Sequence, residues 1–459
     1  MGATNEYTIY CDGSSYASDT GRHSPSGWGA VIVHNGITEE ISGSISQASA
    51  VEAEVIAAIE SIRHTPKDAK IQLFTDLEYM ADRFLSGVAK KVPGAARKSA
   101  RLDGLWAELS IVAGMRDVRI EWIKGHSGHA QHDRADRLAN AAMRKLHHEI
   151  VSAPLVMHMQ PIVDFSTGRI VRAEALARKF YKNGKVISPS VFLPLSDDES
   201  LCEMFKDGLS QSLKSMRDWD KKGVHVDVSV NLPCRVLVHP ECATWIIDEL
   251  NAKGVNPERL CIEVLEQEND DNADDIGAIT MLSAITRIKD AGVALSMDDL
   301  GAGHSSLYRM IAYPFGSVKI DHGIILKAHD SGDKGVRFVH QIILMAHAIN
   351  MKVVIEGLET LELVEMAACL GADYGQGYHL ATPIRADNIA KVVARFGVMS
   401  IDPENPVTEL GKRALQLRKF GQQEYKHAEN KGYFELLSME KNVEIEVITP
   451  EYRHSMSAC

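Results

Sequence analysis

The 459-residue chain has no surplus of positive charge: 50 Lys+Arg stand against 62 Asp+Glu, for a formal net charge of −12. That excludes a chain coated throughout in basic surface for nucleic acid. Cysteine is scarce, with seven residues, an odd set holding no CxxC pair. Cys11, Cys202, Cys234, Cys242, Cys261, Cys369 and Cys459 therefore read as reduced thiols of a cytoplasmic protein, not as a disulfide framework or a thiolate metal site. No window approaches the ~18 uninterrupted apolar residues of a membrane span. The best stretch, FVHQIILMAHAINMKVVIEGL, is broken by His340, Gln341, His347, Asn350 and Lys352. The opening MGATNEYTIYCDG lacks the basic-then-apolar pattern of a secretory leader, so none is expected. Asn5 and Glu6 stand where a myristoylation signal would carry Ser or Thr. No membrane association is expected.

An apolar content of 45% and a charged content of 24% suit a globular protein. The length predicts two or three domains. Charge is unevenly spread. Residues 1–150 hold 17 Lys+Arg and 19 Asp+Glu, a net of −2, which leaves −10 for the remainder. A local basic patch therefore stays available in the first third.

YTIYCD reads as a strand ending in Asp12, and GWGAVIV and ITEEISGSI follow as strands joined by His34-Asn35-Gly36, whose Asn-Gly signals a hairpin. SAVEAEVIAAIESIRH is a helix in which Val51, Val55, Ala58 and Ile62 recur at helical spacing. Glu54 sits on its small-residue stripe, an expensive place for a carboxylate unless something compensates it. IQLFTD is a strand ending in Asp76, and VRIEWIK another, followed by WIKGHSGHAQHDRADRLAN with His126, His129, His132 and Asp136. Taken singly, these acids read as turn residues and half-exposed helix acids. Taken together, they form an oxygen-only set without thiols, which suits Mg²⁺ or Mn²⁺.

Four stretches, in this order, carry a resemblance: YCDGSS, AEVIAAI, FTDLEYM and WIKGHSGHAQHDRADRLAN. Over residues 5–145 the chain resembles the type 1 ribonuclease H family, a mixed sheet with helices. The resemblance selects Glu54 over Glu52. It implies that Asp12, Glu54, Asp76 and Asp136 hold two divalent ions at the scissile phosphate of an RNA–DNA hybrid. It also implies that His126 lies on a loop as a proton shuttle or product-release aid. His129 and His132 are expected in the same loop, solvated or bonded to backbone; a three-histidine metal site is the weaker alternative. From Arg83 to Arg101 the chain gathers Arg83, Lys90, Lys91, Arg97, Lys98 and Arg101, and LDGLWAEL with Trp106 follows. This place is similar to the family's basic protrusion, which implies hybrid-backbone contacts from Lys90, Lys91, Arg97, Lys98, Arg101 and Trp106. The ordinary alternative is a solvated basic loop.

The helix RADRLANAAMRKLHHEI runs almost directly into LVMHMQPIVDF. Only Val151–Pro154 remains as a linker, which argues against large independent swings. The expected boundaries are 1–150, 155–396 and 397–459.

Residues 155–396 repeat one theme, an apolar strand ending in a polar residue and then a helix. The strand ends carry Glu174, Asn231, Glu263, Asp298 with Asp299, Lys319 with Asp321, Glu356 and Gln376. Strands and helices alternating over this length predict a (β/α) barrel, whose strand C-termini share one face. Glu174, Asn231, Glu263, Asp298 and Asp299 would form a hard-oxygen pocket there. A strand-end acid is commonplace as a helix cap, but seven strand ends in a row are hard to explain as caps.

Glu174-Ala175-Leu176 with Arg178, Gln160-Pro161-Ile162, Asn231-Leu232-Pro233, Glu263 with Glu266, DDLGAGHSSL, Lys319 with Asp321, Glu356 with Glu359, and Gln376-Gly377-Tyr378 resemble the EAL family of cyclic dinucleotide phosphodiesterases. The resemblance implies hydrolysis of cyclic di-GMP to pGpG with two Mg²⁺ or Mn²⁺. Glu174, Asn231, Glu263, Asp298, Asp299 and Glu356 would be the ligands. Glu356 is ligand or general base, and Lys319 orients water and offsets charge. Arg178, Asp321, Glu359 and Gln376 would face the substrate, and Glu266 would anchor the loop after Asp299. Leu300, Ala302 and His304 depart from that loop's usual Phe, Thr and Tyr; every ligand position is kept. A homodimer through this domain is compatible with the family pattern. The last sixty residues resemble neither family and read as a charged helix from Thr408 to about Glu429, a short second helix, and the strand VEIEVIT.

The combined expectation is a bifunctional, metal-dependent phosphodiesterase. Three alternatives stay open at this point, one being that both sites serve RNA turnover, with the barrel accepting linear or other cyclic dinucleotides. The barrel could be a cyclic di-GMP sensor that gates the ribonuclease. Or the first domain could bind nucleic acid without cutting it and localise the phosphodiesterase.

Overall fold

The computed structural model describes residues 5–16, 23–86, 100–125, 128–265, 275–300 and 306–430. The chain divides into two compact units, Met1–Met157 with Ala177–Gln211, and His158–Leu176 with Ser212–Cys459.

The first unit opens with β1 (Glu6–Ser15), β2 (Ser24–His34) and β3 (Ile37–Ala48), then α1 (Ala50–Arg63), β4 (Lys70–Thr75), α2 (Glu78–Ser86), α3 (Ala100–Gly114), β5 (Asp117–Trp122) and α4 (Ala130–Ser152). The sheet order is β3-β2-β1-β4-β5. The first three strands form an antiparallel meander, and β4 and β5 add in parallel. The β2–β3 turn has only Asn35 and Gly36 between paired His34 and Ile37, with φ of 49° and 79°, the positive pair that a tight hairpin of the right twist requires. Ile9, Cys11, Ala57, Ala58, Ile62, Leu73, Trp106 and Leu109 are among the residues of one core. Val51 falls outside it and is exposed, because it lies at the start of α1.

The remainder runs β6 (Val156–Asp164), β7 (Arg169–Phe180), β8 (Val186–Ile187), α5 (Pro189–Phe192), α6 (Asp198–Asp220), β9 (Asp227–Leu232), α7 (Cys234–Leu237), α8 (Cys242–Lys253), β10 (Leu260–Val264), α9 (Asp275–Asp290), β11 (Ala294–Leu300), α10 (Ser306–Ala312), β12 (Ser317–Ile320), α11 (His322–Asp330), α12 (Asp333–Ala348), β13 (Lys352–Ile355), α13 (Leu361–Cys369), β14 (Tyr374–Gly375), β15 (Ile384–Arg385), α14 (Ile389–Phe396) and α15 (Glu409–Asn430). Strands β7, β9, β10, β11, β12, β13 and β14 pair in that order. Strand β6 pairs with both β14 and β7, which closes an eight-stranded barrel. Short β8 and β15 extend it at the edges.

Residues 177–211 pack with the first unit for a local reason. Leu146 and Ile150 of α4 share an apolar cluster with Ile187, Val191 and Phe192. Lys179 Nζ donates to the carbonyls of Ile150 (3.3 Å) and Val151 (2.9 Å). These carbonyls belong to the last turn of α4, where no intrahelical donor exists and a cation is favoured.

The charged helix expected from Thr408 is α15, which packs on α13 and α12. Glu365 of α13 accepts from the amides of Val407 (2.9 Å) and Thr408 (2.7 Å) and so fastens the helix start. The short helix and the VEIEVIT strand lie outside the described residues.

Candidate active sites

Asp12, Glu54 and Asp76 each offer a carboxylate oxygen within 4.8 Å of the other two. The local sequence makes this approach feasible. A Cβ on Gly13 would lie 2.3 Å from the Glu54 amide, so α1 meets β1 there only because the residue is glycine. Gly29, the cross-strand partner of Asp12, does the same for α4: a Cβ there would lie 2.5 Å from the Ala135 carbonyl. Helix α4 brings Asp136 near enough for its charge to act on Asp12, but outside the three-carboxylate cluster. Asp136 is oriented by a chain of hydrogen bonds, Ser14 Oγ to Asn140 Oδ1 (2.9 Å) and Asn140 Nδ2 to Asp136 Oδ1 (2.6 Å). Trp122 Nε1 donates to the Asp76 carbonyl at 3.0 Å, fixing the backbone that bears the third acid.

Burial pushes the Asp12 carboxyl up to about 6; the hydrogen bond with Glu54 and the charge of His132 oppose this, and Asp76 and Asp136 add to it. Burial, then the charge of Asp12, holds Glu54 well above the carboxylate range. Glu54 Oε2 is buried without a partner. An orphan buried oxygen within an acid-only cluster fits a hard divalent cation. Glu52 has another task. It closes a capping box with Ser49, its Oε2 accepting from the Ser49 amide at 2.9 Å.

His126 lies outside the described residues. His129 occupies the N-cap position of α4. His132 is not in the loop: α4 has already begun at Ala130, and His132 is 4% exposed. It falls on the same helix stripe as Ala135, Ala139 and Met143, which are buried with it. Lys90, Lys91, Arg97 and Lys98 lie outside the described residues. Arg101 is engaged within the chain, Nη1 donating to the Gln47 carbonyl at 2.7 Å. Trp106 corrects the sequence reading. It is 4% exposed, edge-on to Tyr79 at 5.6 Å, and it fills the core instead of facing a substrate.

The barrel gathers its polar strand ends around one buried cation. Lys319 Nζ, in a residue 1% exposed, lies 3.1 Å from Glu174 Oε2, 3.0 Å from Glu263 Oε2, 3.2 Å from Asp298 Oδ1 and 2.5 Å from Glu356 Oε1. Burial disfavours its charge, but Glu174, Glu263, Glu356 and Asp298 outweigh that and raise its pKa well above the usual lysine value. Glu174 is desolvated too, yet Lys319, Gln376 and Asn231 bring it below its ordinary value. Gln376 Nε2 donates to it at 2.6 Å and Asn231 Nδ2 at 2.7 Å. Burial raises Glu263 and Asp298, and takes Glu356 to about 7 and Asp299 to about 6.

Consecutive residues of a regular strand point to opposite faces. Asp298 and Asp299 nevertheless both reach Glu356, with oxygens within 4.8 Å of one another. The β11–β12 pairing has a register shift between Met297 and Leu300, and Asp299 sits at φ 56°. A bulge of this kind re-aims a side chain, and the strained φ is held by its surroundings. Asn231 Oδ1 is buried without a partner. That orphan and the carboxylates beside it fit a divalent cation.

The remaining expected residues are placed as follows. Asp321 is a cap: its Oδ1 accepts from the Gly323 amide at 2.7 Å at the start of α11. Gln376 is 4% exposed and serves Glu174. Arg178 Nη1 donates to the Ala177 carbonyl at 2.8 Å, and Glu359 is exposed. Glu266, Ala302 and His304 lie outside the described residues, while Leu300 is buried. Sequence reasoning missed Ser14, Trp122 and Asn140, and it placed His132 in the loop instead of in α4. Asn140, one helical turn after Asp136, was the most findable.

The EAL domain model matches residues 143–383 and the RNase H model residues 4–144. The bifunctional diguanylate cyclase/cyclic di-GMP phosphodiesterase MucR of Pseudomonas aeruginosa is 32% identical over 244 residues, 52% of this chain and 34% of that protein. The probable cyclic di-GMP phosphodiesterase PdeB of Escherichia coli is 31% identical over 235 residues, 51% of this chain and 43% of that protein. The chain thus spans well under half the length of both. A ribonuclease H of Pelobacter propionicus is 32% identical over 147 residues, 31% of this chain and 88% of that protein. The chain belongs to the EAL domain family, and its N-terminal part belongs to the ribonuclease H family.

No helix among the described residues is long and apolar enough to cross a membrane.

Proposed function

We propose that the chain is a bifunctional phosphodiesterase, cutting RNA in RNA–DNA hybrids at its first centre and opening cyclic di-GMP to pGpG at its second. The observation that carries this is that Asp12–Glu54–Asp76 and Asp298–Asp299–Glu356 each form a close carboxylate cluster in one chain. A domain reduced to sensing or nucleic-acid binding has no need to hold buried carboxylates together.

Mg²⁺ or Mn²⁺, two to each centre, would be held by Asp12, Glu54, Asp76 and Asp136 in the first and by Glu174, Asn231, Glu263, Asp298, Asp299 and Glu356 in the second. Bound there, the ions supply Lewis-acid polarisation of phosphate oxygens and acidify water. The chain's own residues do the rest. Asn140 and Ser14 hold Asp136 in place, and Asn231 and Gln376 hold Glu174. Glu356, in the carboxylate cluster with Asp298 and Asp299, would serve either as ligand or as general base to the attacking water. Lys319 offsets the charge of four carboxylates and would orient the attacking water. The six described cysteines are all buried and none sits in a CxxC pair, which suits the reducing cytoplasm.

The test is product analysis with purified full-length chain and Mg²⁺ or Mn²⁺. Cyclic di-GMP should yield pGpG, and a labelled hybrid should yield cut RNA with intact DNA. Binding of either substrate without turnover would contradict the corresponding half of the proposal.

A further inference from the structure

Glycines on β2 let α4 lie against the sheet, and the helix stripe His132, Ala135, Ala139 faces inward as a result. This sets His132 over the end of β1. Its Nδ1 lies 3.9 Å from Asp12 Oδ2. Its Nε2 is buried and has no hydrogen-bond partner. The residue is 4% exposed. A buried imidazole nitrogen without a partner is costly if the ring has no further task. At 3.9 Å, Nδ1 is turned to Asp12 Oδ2 and falls short of hydrogen-bond range by less than ~1 Å.

We propose that His132 is a positioning residue of the ribonuclease centre: its Nδ1–H donates to Asp12 Oδ2 and fixes that carboxylate in the orientation that binds a divalent cation. The inference rests on the ribonuclease reading of the first centre. A carboxylate ligand works best when its outer oxygen is held by a donor, and loss of such a partner typically weakens metal binding ~10–100-fold. At the other side of the same centre, Asn140 holds Asp136 in this way.

The test is calorimetric titration of the full chain with Mn²⁺, with the ribonuclease-centre isotherm identified by its loss in Asp76→Asn. His132→Phe keeps the ring and removes both nitrogens; should it not fold, His132→Leu takes its place. His132→Asn restores a neutral N–H near the position of Nδ1 but offers no imidazole ligand. The expected result is an isotherm ~10–100-fold weaker in His132→Phe and within about threefold of the parent in His132→Asn. The Mn²⁺ midpoint of hybrid cleavage should move with it, while cyclic di-GMP hydrolysis stays at the parental level. Unchanged Mn²⁺ affinity in folded His132→Phe overturns the proposal. So does a folded His132→Asn that binds as weakly as His132→Phe. If Asp76→Asn removes no isotherm, the ribonuclease reading itself has failed, a separate result from either of these.

Discussion

The two centres hold comparable sets of buried acids but deal with the charge differently. In the barrel, Lys319 stands between Glu174, Glu263, Asp298 and Glu356, and Glu174 alone receives three side-chain donors. The ribonuclease centre has no such internal cation among its described residues. Burial pushes Asp12 and Glu54 up in pKa together. One site is pre-neutralised by the chain; the other leaves much of the neutralisation to a cation from solution. Buried charge without compensation is unstable, so the contrast should appear in stability as well as in catalysis.

The largest expected effect follows from removing the barrel's cation. Lys319→Met leaves four carboxylates around an apolar side chain, and breaking a buried pair from one side costs about 3–5 kcal/mol. Urea unfolding in EDTA should show that loss. A loss below about 1 kcal/mol would mean that the acids, protonated, need no cation, and the contrast would collapse.

In the ribonuclease centre the same kind of change should act with the opposite sign. Asp12 has a folded pKa near 6, raised from 3.8 chiefly by burial. A raised carboxyl binds a proton more tightly in the folded state. Its favourable contribution is therefore complete below about pH 4 and is lost as pH rises towards 6. Metal-free Asp12→Asn should then be more stable than the parent at pH 8, by up to about 3 kcal/mol, and no more stable at pH 4. Equal stabilisation at both pH values would contradict the assigned cause. For the same reason, protons should compete with Mg²⁺ or Mn²⁺ below about pH 6, and hybrid cleavage should fall there.

The orienting residues sharpen the comparison further. Asp136 depends on one side-chain donor chain, so Asn140→Leu should weaken metal binding at the first centre ~10–100-fold. Gln376→Leu should have a smaller effect, under about tenfold on cyclic di-GMP hydrolysis, because Asn231 and Lys319 still hold Glu174. Parallel metal titrations of the two variants would rank them; the reverse order would mean that Glu174 is held less redundantly than its contacts indicate.

Much of this was legible in the sequence because both sites are built from strand ends and helix stripes. Asp12 and Asp76 follow apolar runs and Glu54 lies on a small-residue stripe, but singly they read as turn and helix acids; the resemblance of four stretches to the ribonuclease H family is what marked them together. The Asn35-Gly36 hairpin was equally plain. What escaped is set by the third dimension. Trp106 carried the apolar bulk that suits either a stacking surface or a core, and only packing against Tyr79 decides between them. His132 differs from His129 by three residues, and where α4 begins settles whether it is wet or buried. Helix boundaries are among the least certain features of a sequence reading. Asp321 had the pattern of a site acid and the geometry of a cap. The association of residues 177–211 with the first unit depends on an apolar patch near the end of α4, Leu146 and Ile150, which looked like ordinary helix periodicity.

The most direct test assays both substrates on three proteins: the parent, Asp76→Asn and Glu174→Ala. The account predicts that Asp76→Asn abolishes hybrid cleavage and leaves cyclic di-GMP hydrolysis intact, and that Glu174→Ala does the reverse. Loss of hybrid cleavage in Glu174→Ala, with Asp76→Asn still hydrolysing cyclic di-GMP, would contradict two self-sufficient centres and make the barrel a controller of the ribonuclease.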